Sequence, residues 1–127
     1  MTNNLWGTLP VDAAPTPPVA ILREQASILG DMTDRVLEGE VKTRRDGDEL
    51  TLTLEIVAPA LDGYRYTVVT AQHSVEMYPA RLFSQVIGTW QSCESPVQFE
   101  ARLGKILSSE AIKKIIAALL AQSKSGW

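Results

Sequence analysis

His73 and Cys93 are the only histidine and the only cysteine in the chain, and they are the natural starting point for any chemistry. A thiolate attacks as a nucleophile, and an adjacent imidazole takes its proton. That chemistry requires the two side chains in contact and a third group to orient the histidine. Trp90, Gln91, Ser92 and Glu94 surround Cys93 in the chain and form no nucleophile signature. One histidine and one cysteine also fall short of a four-ligand zinc site. The residues therefore point to a non-catalytic protein with no cofactor and no metal.

Glu38, Glu40 and Glu55 are placed by the strand pattern described below to neighbour one another on an open sheet face. Such a row could attract a cation. Lys42 and Arg65 fall on the same face, which makes a balanced, solvated row the simpler reading. Asp31 and Asp34 read as turn or cap groups. No phosphate loop, dinucleotide fingerprint, nucleophile elbow or calcium loop is present.

The aromatic residues are the remaining clue. Tyr64, Tyr66, Tyr78 and Trp90 lie in or after the second half of the strand region. Aromatic side chains bring large contact area at small entropic cost, which enriches them in binding surfaces. They equally fill the core of a small domain, and that is the stronger reading of the four. Exposed together with Pro79, Tyr78 and Trp90 would make a docking patch. The candidate partner-binding residues are thus Met77, Tyr78, Pro79 and Trp90, with Trp6 of the N-terminal arm.

The elements that position these residues begin with Leu50-Thr51-Leu52-Thr53-Leu54-Glu55-Ile56, apolar and polar in strict alternation. That period marks a strand with one face buried and one wet. Asp46-Gly47 before it and Asp62-Gly63 after it favour reversals. An antiparallel meander follows, with strands at 36–45, 50–56, 64–72 and 74–78. The first turn suggests Thr43 opposite Leu50 and Val41 opposite Leu52. The second suggests Ile56 opposite Tyr64 and Glu55 opposite Arg65. Pro79 ends the fourth strand, which is expected at a sheet edge. Residues 82–90 read as a fifth, irregular strand or an extended loop. Gly39 marks a bulge or a close approach of the N-terminal helix.

Thr16 and Pro17 open a helix expected to run to Leu29 and to stop at Gly30. Ser95-Pro96-Val97-Gln98 opens another, with a capping-box pattern. Ser109 starts the last, where Ile112, Ile115, Ile116, Leu119 and Leu120 form the strongest helical stripe in the chain. The fold class is α+β, a two-layer domain. An antiparallel meander of four or five strands carries an N-terminal helix and two C-terminal helices on one face, the last of them as the main lid. Residues 1–16 form a flexible, proline-containing arm, 17–122 the domain, and 123–127 a polar tail ending in an aromatic.

The 127 residues are 45% hydrophobic and 21% charged with a net charge of −3. That suits one globular domain and argues against a nucleic-acid partner, which needs a basic face. The longest apolar run, 115–121, is too short for a membrane span. A lone cysteine and the absence of a basic, apolar leader suggest a reducing, cytosolic setting. The function expected is a small protein-binding module: an adaptor, a dedicated chaperone or an inhibitor-type partner. Its ligand is another protein or a second copy of itself. The alternative is a small-molecule domain with a pocket between sheet and helices, lined by Tyr64 and Tyr66. An open apolar surface favours the first and an enclosed polar pocket the second.

Overall fold

The computed structural model describes residues 3–126. The start of the arm and the aromatic end of the tail, Trp127, lie outside the described residues. The elements are α1 (Pro18–Met32), β1 (Glu38–Asp46), β2 (Glu49–Ala58), a 3-10 turn (Pro59–Leu61), β3 (Tyr64–His73), β4 (Ala80–Phe83), β5 (Trp90–Cys93), α2 (Pro96–Leu107) and α3 (Glu110–Ser125). All strand pairs are antiparallel, and the order in the sheet is that of the chain. This is the expected α+β meander, in its five-stranded form. Among the described residues, no helix is long and apolar enough to cross a membrane.

The alternating stretch forms β2 as expected, with Leu52, Leu54, Ile56 and Ala58 buried. Its pairing with β1 is two residues away from the expected register: Thr43 lies opposite Leu52 and Val41 opposite Leu54. The turn is Gly47-Asp48, not Asp46-Gly47. Gly47 takes the left-handed first position at φ 63°, as a tight hairpin requires. A two-residue shift keeps every side chain on its expected face. The β2–β3 register also moves, placing Ile56 opposite Tyr66 and Glu55 opposite Thr67.

Val68 is an extra residue in β3, because Glu55 pairs with Thr67 while Leu54 pairs with Val69. Val68 and Val69 are both buried. The Ser84 hydroxyl closes this bulge, donating to the Val68 carbonyl at 2.8 Å and accepting from the Val86 N–H at 3.3 Å. The expected fourth strand at 74–78 is instead a loop. β4 starts after Pro79, so the proline precedes that strand and does not end it. The edge opposite β1 is β5. Within 82–90, Leu82 and Phe83 belong to β4, and a turn follows before β5 begins at Trp90.

Helix α1 begins one residue later than expected, with Pro17 at the N-cap and Pro18 first, and it continues through Gly30 to Met32. Thr33 ends it. Its hydroxyl oxygen lies 3.0 Å from both the Leu29 and the Leu37 carbonyls, either of which can take its one proton, and accepts from the Leu37 N–H at 3.2 Å. One side chain thus ties the helix end to the strand that follows. Gly39 is a site of close approach, since a Cβ there would sit 2.5 Å from the Ala26 Cα.

Helices α2 and α3 start at the expected caps. Ser95 accepts from the Gln98 N–H, and Ser109 from the Ile112 N–H. Gln98 reaches back to the Glu94 N–H at 2.8 Å, one residue before the cap. Phe99, Leu103 and Ile106 of α2 are buried against the sheet. Full burial of a side chain the size of Phe99 contributes about 1.5–3 kcal/mol. α3 runs to Ser125, beyond the expected start of the tail. Only Ile112 and Leu119 of its stripe are buried.

Candidate protein-binding groove

The partial exposure of the α3 stripe has a structural cause. α1 packs on the β1 side of the sheet, and α2 packs beside β4 and β5. Between them the helix layer leaves a cleft, at whose bottom Leu54, Ile56 and Val68 are buried. The space is an open groove of about 900 Å³. Leu54, Ile56 and Val68 form its floor. Ile21, Ile28, Leu29 and Met32 of α1 form one wall. Leu103 and Leu107 of α2 with Ile112, Ile116 and Leu120 of α3 form the other. The last helix is therefore a wall and not the expected lid over the sheet.

The lining is mostly apolar, and its charged residues are Glu24 on α1, Glu55 on β2, Glu100 on α2 and Lys113 on α3. Met32 is 79% exposed at the end of α1. A methionine in such a place is adaptable, because its unbranched side chain fits irregular apolar shapes. The helical spacing of Ile28, Ile116 and Leu120 carries part of this signal in the sequence but reads equally as core, and Met32 lies beyond the expected end of α1 at Gly30.

A smaller pocket of about 280 Å³ lies at the other side of α3, lined by Tyr64, Tyr66, Ile115, Ala118, Leu119 and Gln122. It holds the two tyrosines singled out in the sequence, and they do not line the main groove.

The residues of the expected docking patch are divided between two faces. Tyr78 packs edge-on against Phe99, with ring centroids 6.4 Å apart, and its hydroxyl donates to the Thr16 carbonyl at 2.7 Å. It lies with the helix layer, half-buried beside Met77. Burial, then the proximity of Cys93 and Glu100, raises its pKa. Pro79 is exposed and joined to Tyr78 by a cis bond. Trp90 is 41% exposed on the open face of the sheet. It stands opposite Phe83, 5.3 Å between centroids, with the Arg81 guanidinium 5.1 Å from its ring centre. Trp6 is 81% exposed, and the hydrogen bonds of residues 3–15 are local to the arm.

His73 and Cys93 both line the helix side of the sheet, two strands apart. Cys93 pairs with Ala80, and the neighbouring register runs Gln72 to Arg81. Two strand spacings amount to about 10 Å, beyond proton-transfer reach. Burial is the main influence on the Cys93 thiol and pushes its pKa up, with Arg102 opposing and Glu94 adding. The His73 Nδ1 lies 2.6 Å from the Ser74 carbonyl.

The carboxylate row is present, with Glu40 directly opposite Glu55, but Glu55 is buried and not solvated as expected, because cationic side chains cover it. Arg65 bridges the two carboxylates, at 3.1 Å from each, and Lys42 lies 3.3 Å from Glu55. Hydrogen bonding to Glu40 is the largest influence on the guanidinium and raises its pKa, with Glu55 adding and burial opposing. Cationic side chains thus occupy the place a metal would take. Among the described residues, no group of three histidine, cysteine or acidic side chains could hold a metal ion. No family model, no curated protein and no solved structure matches this chain.

Proposed function

We propose that the protein is a small binding module whose groove receives an apolar segment of another protein, in the manner of an amphipathic helix laid between two helical walls. The observation that carries this reading is the open apolar groove whose accessible lining is Ile28 and Met32 of α1 with half-buried Ile116 and Leu120 of α3, above buried Leu54, Ile56 and Val68. It is walled by α1 on one side and by α2 and α3 on the other. Glu24 of α1 and Glu100 of α2 both border it, which suits a segment with basic residues flanking its apolar side. The expected module thus gains a site on the helix layer, away from the Trp90 surface. The single buried thiol suits a reducing compartment, so the partner is sought in the cytosol.

The test is a photo-crosslinking residue placed at Met32, which is exposed and lines the groove. Crosslinks in a native lysate that concentrate on one protein, within one apolar-faced segment, support the reading. Crosslinking no different from that of the same probe at exposed Ala111, off the groove, contradicts it.

A small apolar ligand is the second reading. The groove volume falls within the range of small-molecule sites, but such sites bury most of their ligand and present converging polar groups. Here the groove is open and mostly apolar.

A further inference from the structure

We propose that β1 is a self-complementary edge, and that two copies of the chain pair through it about a two-fold axis at Val41. β1 ends the sheet and is nine residues long. Residues 42–46 are exposed along its length. Such an edge offers a row of backbone groups to an added strand.

The hairpin turn decides which groups point outward. Asp46 and Glu49 flank the two-residue turn, and a turn of that length closes on a hydrogen-bonded pair. Bonding alternates along an antiparallel ladder, and no shift interrupts this one. The even-numbered residues of β1 therefore bond to β2. Gly39, Val41, Thr43 and Arg45 direct their N–H and C=O groups to solvent.

The charges on the open face specify the occupant. Glu38 and Glu40 precede Val41, and Lys42 and Arg44 follow it. An antiparallel second copy centred on Val41 sets Glu40 against Lys42 of its mate and Glu38 against Arg44. These are the non-hydrogen-bonded positions, where facing side chains come closest. Sliding each strand by one residue brings Glu40 onto its own mate, and the opposite slide does the same with Lys42. A parallel copy in register sets like charges together. Among the antiparallel registers this one alone opposes every charge, and it is isologous, as a closed dimer requires. Arg44 has no ion-pair partner among the described residues of its own chain, so pairing supplies one.

Sedimentation equilibrium over a wide concentration range tests this. The wild type should form a dimer of twice 13.9 kDa. Arg44→Glu, which sets a second carboxylate against Glu38 of the mate, should weaken it by about tenfold or more, as expected for facing like charges in place of two opposite pairs. Adding Glu38→Arg should restore it. Thr43→Pro removes one outward N–H and leaves the β1–β2 ladder intact, so it should abolish the dimer with the far-ultraviolet spectrum unchanged. A wild type that remains monomeric throughout overturns the proposal. So does a dimer that survives Thr43→Pro, or a charge reversal that Glu38→Arg fails to rescue.

Discussion

Gly39 of β1 lies directly beneath Ala26 of α1, so close that a methyl group on Gly39 would stand 2.5 Å from the Ala26 Cα and 2.6 Å from its carbonyl oxygen. The contact fixes how low α1 rides on the sheet, and so fixes one wall of the groove. Gly39→Ala should lift the helix and cost roughly 1–3 kcal/mol, the usual range for overpacking. Urea denaturation measures it. In an uncrowded strand the same change is favourable by about 0.5–1 kcal/mol, so a stability gain would show that the helix does not press on this position.

Among the described residues, Ser84 is the side chain that reaches the bulge carbonyl of Val68, and it is buried. Ser84→Ala should leave that carbonyl and the Val86 N–H without the hydroxyl, at a cost of about 1–3 kcal/mol. Thermal unfolding followed by circular dichroism checks this. An unaltered melting temperature would mean that solvent reaches the bulge.

The two apolar residues of α3 that look equivalent in sequence should behave differently. Leu119 is 5% exposed, and Leu119→Ala should cost roughly 2–5 kcal/mol. Ile116 is a half-buried groove wall, and Ile116→Ala should cost less than about 1.5 kcal/mol. Equal losses, measured by denaturant midpoint, would return α3 to the role of lid.

Cys93 is neutral in the fold, and its pKa lies above the ordinary 9.0 chiefly because it is buried. A raised folded pKa means that the native state holds its proton more tightly than the unfolded chain. Its contribution is then complete below the unfolded pKa and is lost as pH rises through the folded one. Tyr78 acts in the same direction from its ordinary 10.0. Stability should therefore fall above about pH 9, and less steeply in Cys93→Ala. Thiol titration with a coloured disulfide reagent at about pH 8, just below the ordinary thiol range, should be slow in the native state and rapid in urea. Fast native labelling would contradict the burial.

The parts of this fold legible in the sequence are those set by local chemistry. Ser95 and Ser109 cap helices through bonds to the N–H groups of Gln98 and Ile112, and the alternation of β2 records its two faces directly. What was misread depends on distant partners. Thr33 ends α1 by bonding to Leu37, so Gly30 looked like the stop. Pro79 is compatible with either end of an edge strand, and the true β4 is identified only by its pairing with β3 and β5. The α3 stripe records that one side is apolar, but whether that side is covered depends on where α1 and α2 settle. The groove was hidden for the same reason: its lining has the composition of a core.

The most direct measurement of the central claim is a quantitative comparison of captured proteins from native lysate, using wild type, Met32→Glu, Ile116→Lys and Trp90→Ala as baits. Placing a charge in an apolar contact should cost a docked partner at least about 2 kcal/mol, or some thirtyfold in affinity. The groove account predicts that a partner held by wild type is lost from both groove variants, which remain folded, and is retained by Trp90→Ala. Undiminished capture by Met32→Glu and Ile116→Lys, or loss confined to Trp90→Ala, would contradict the groove as the binding site.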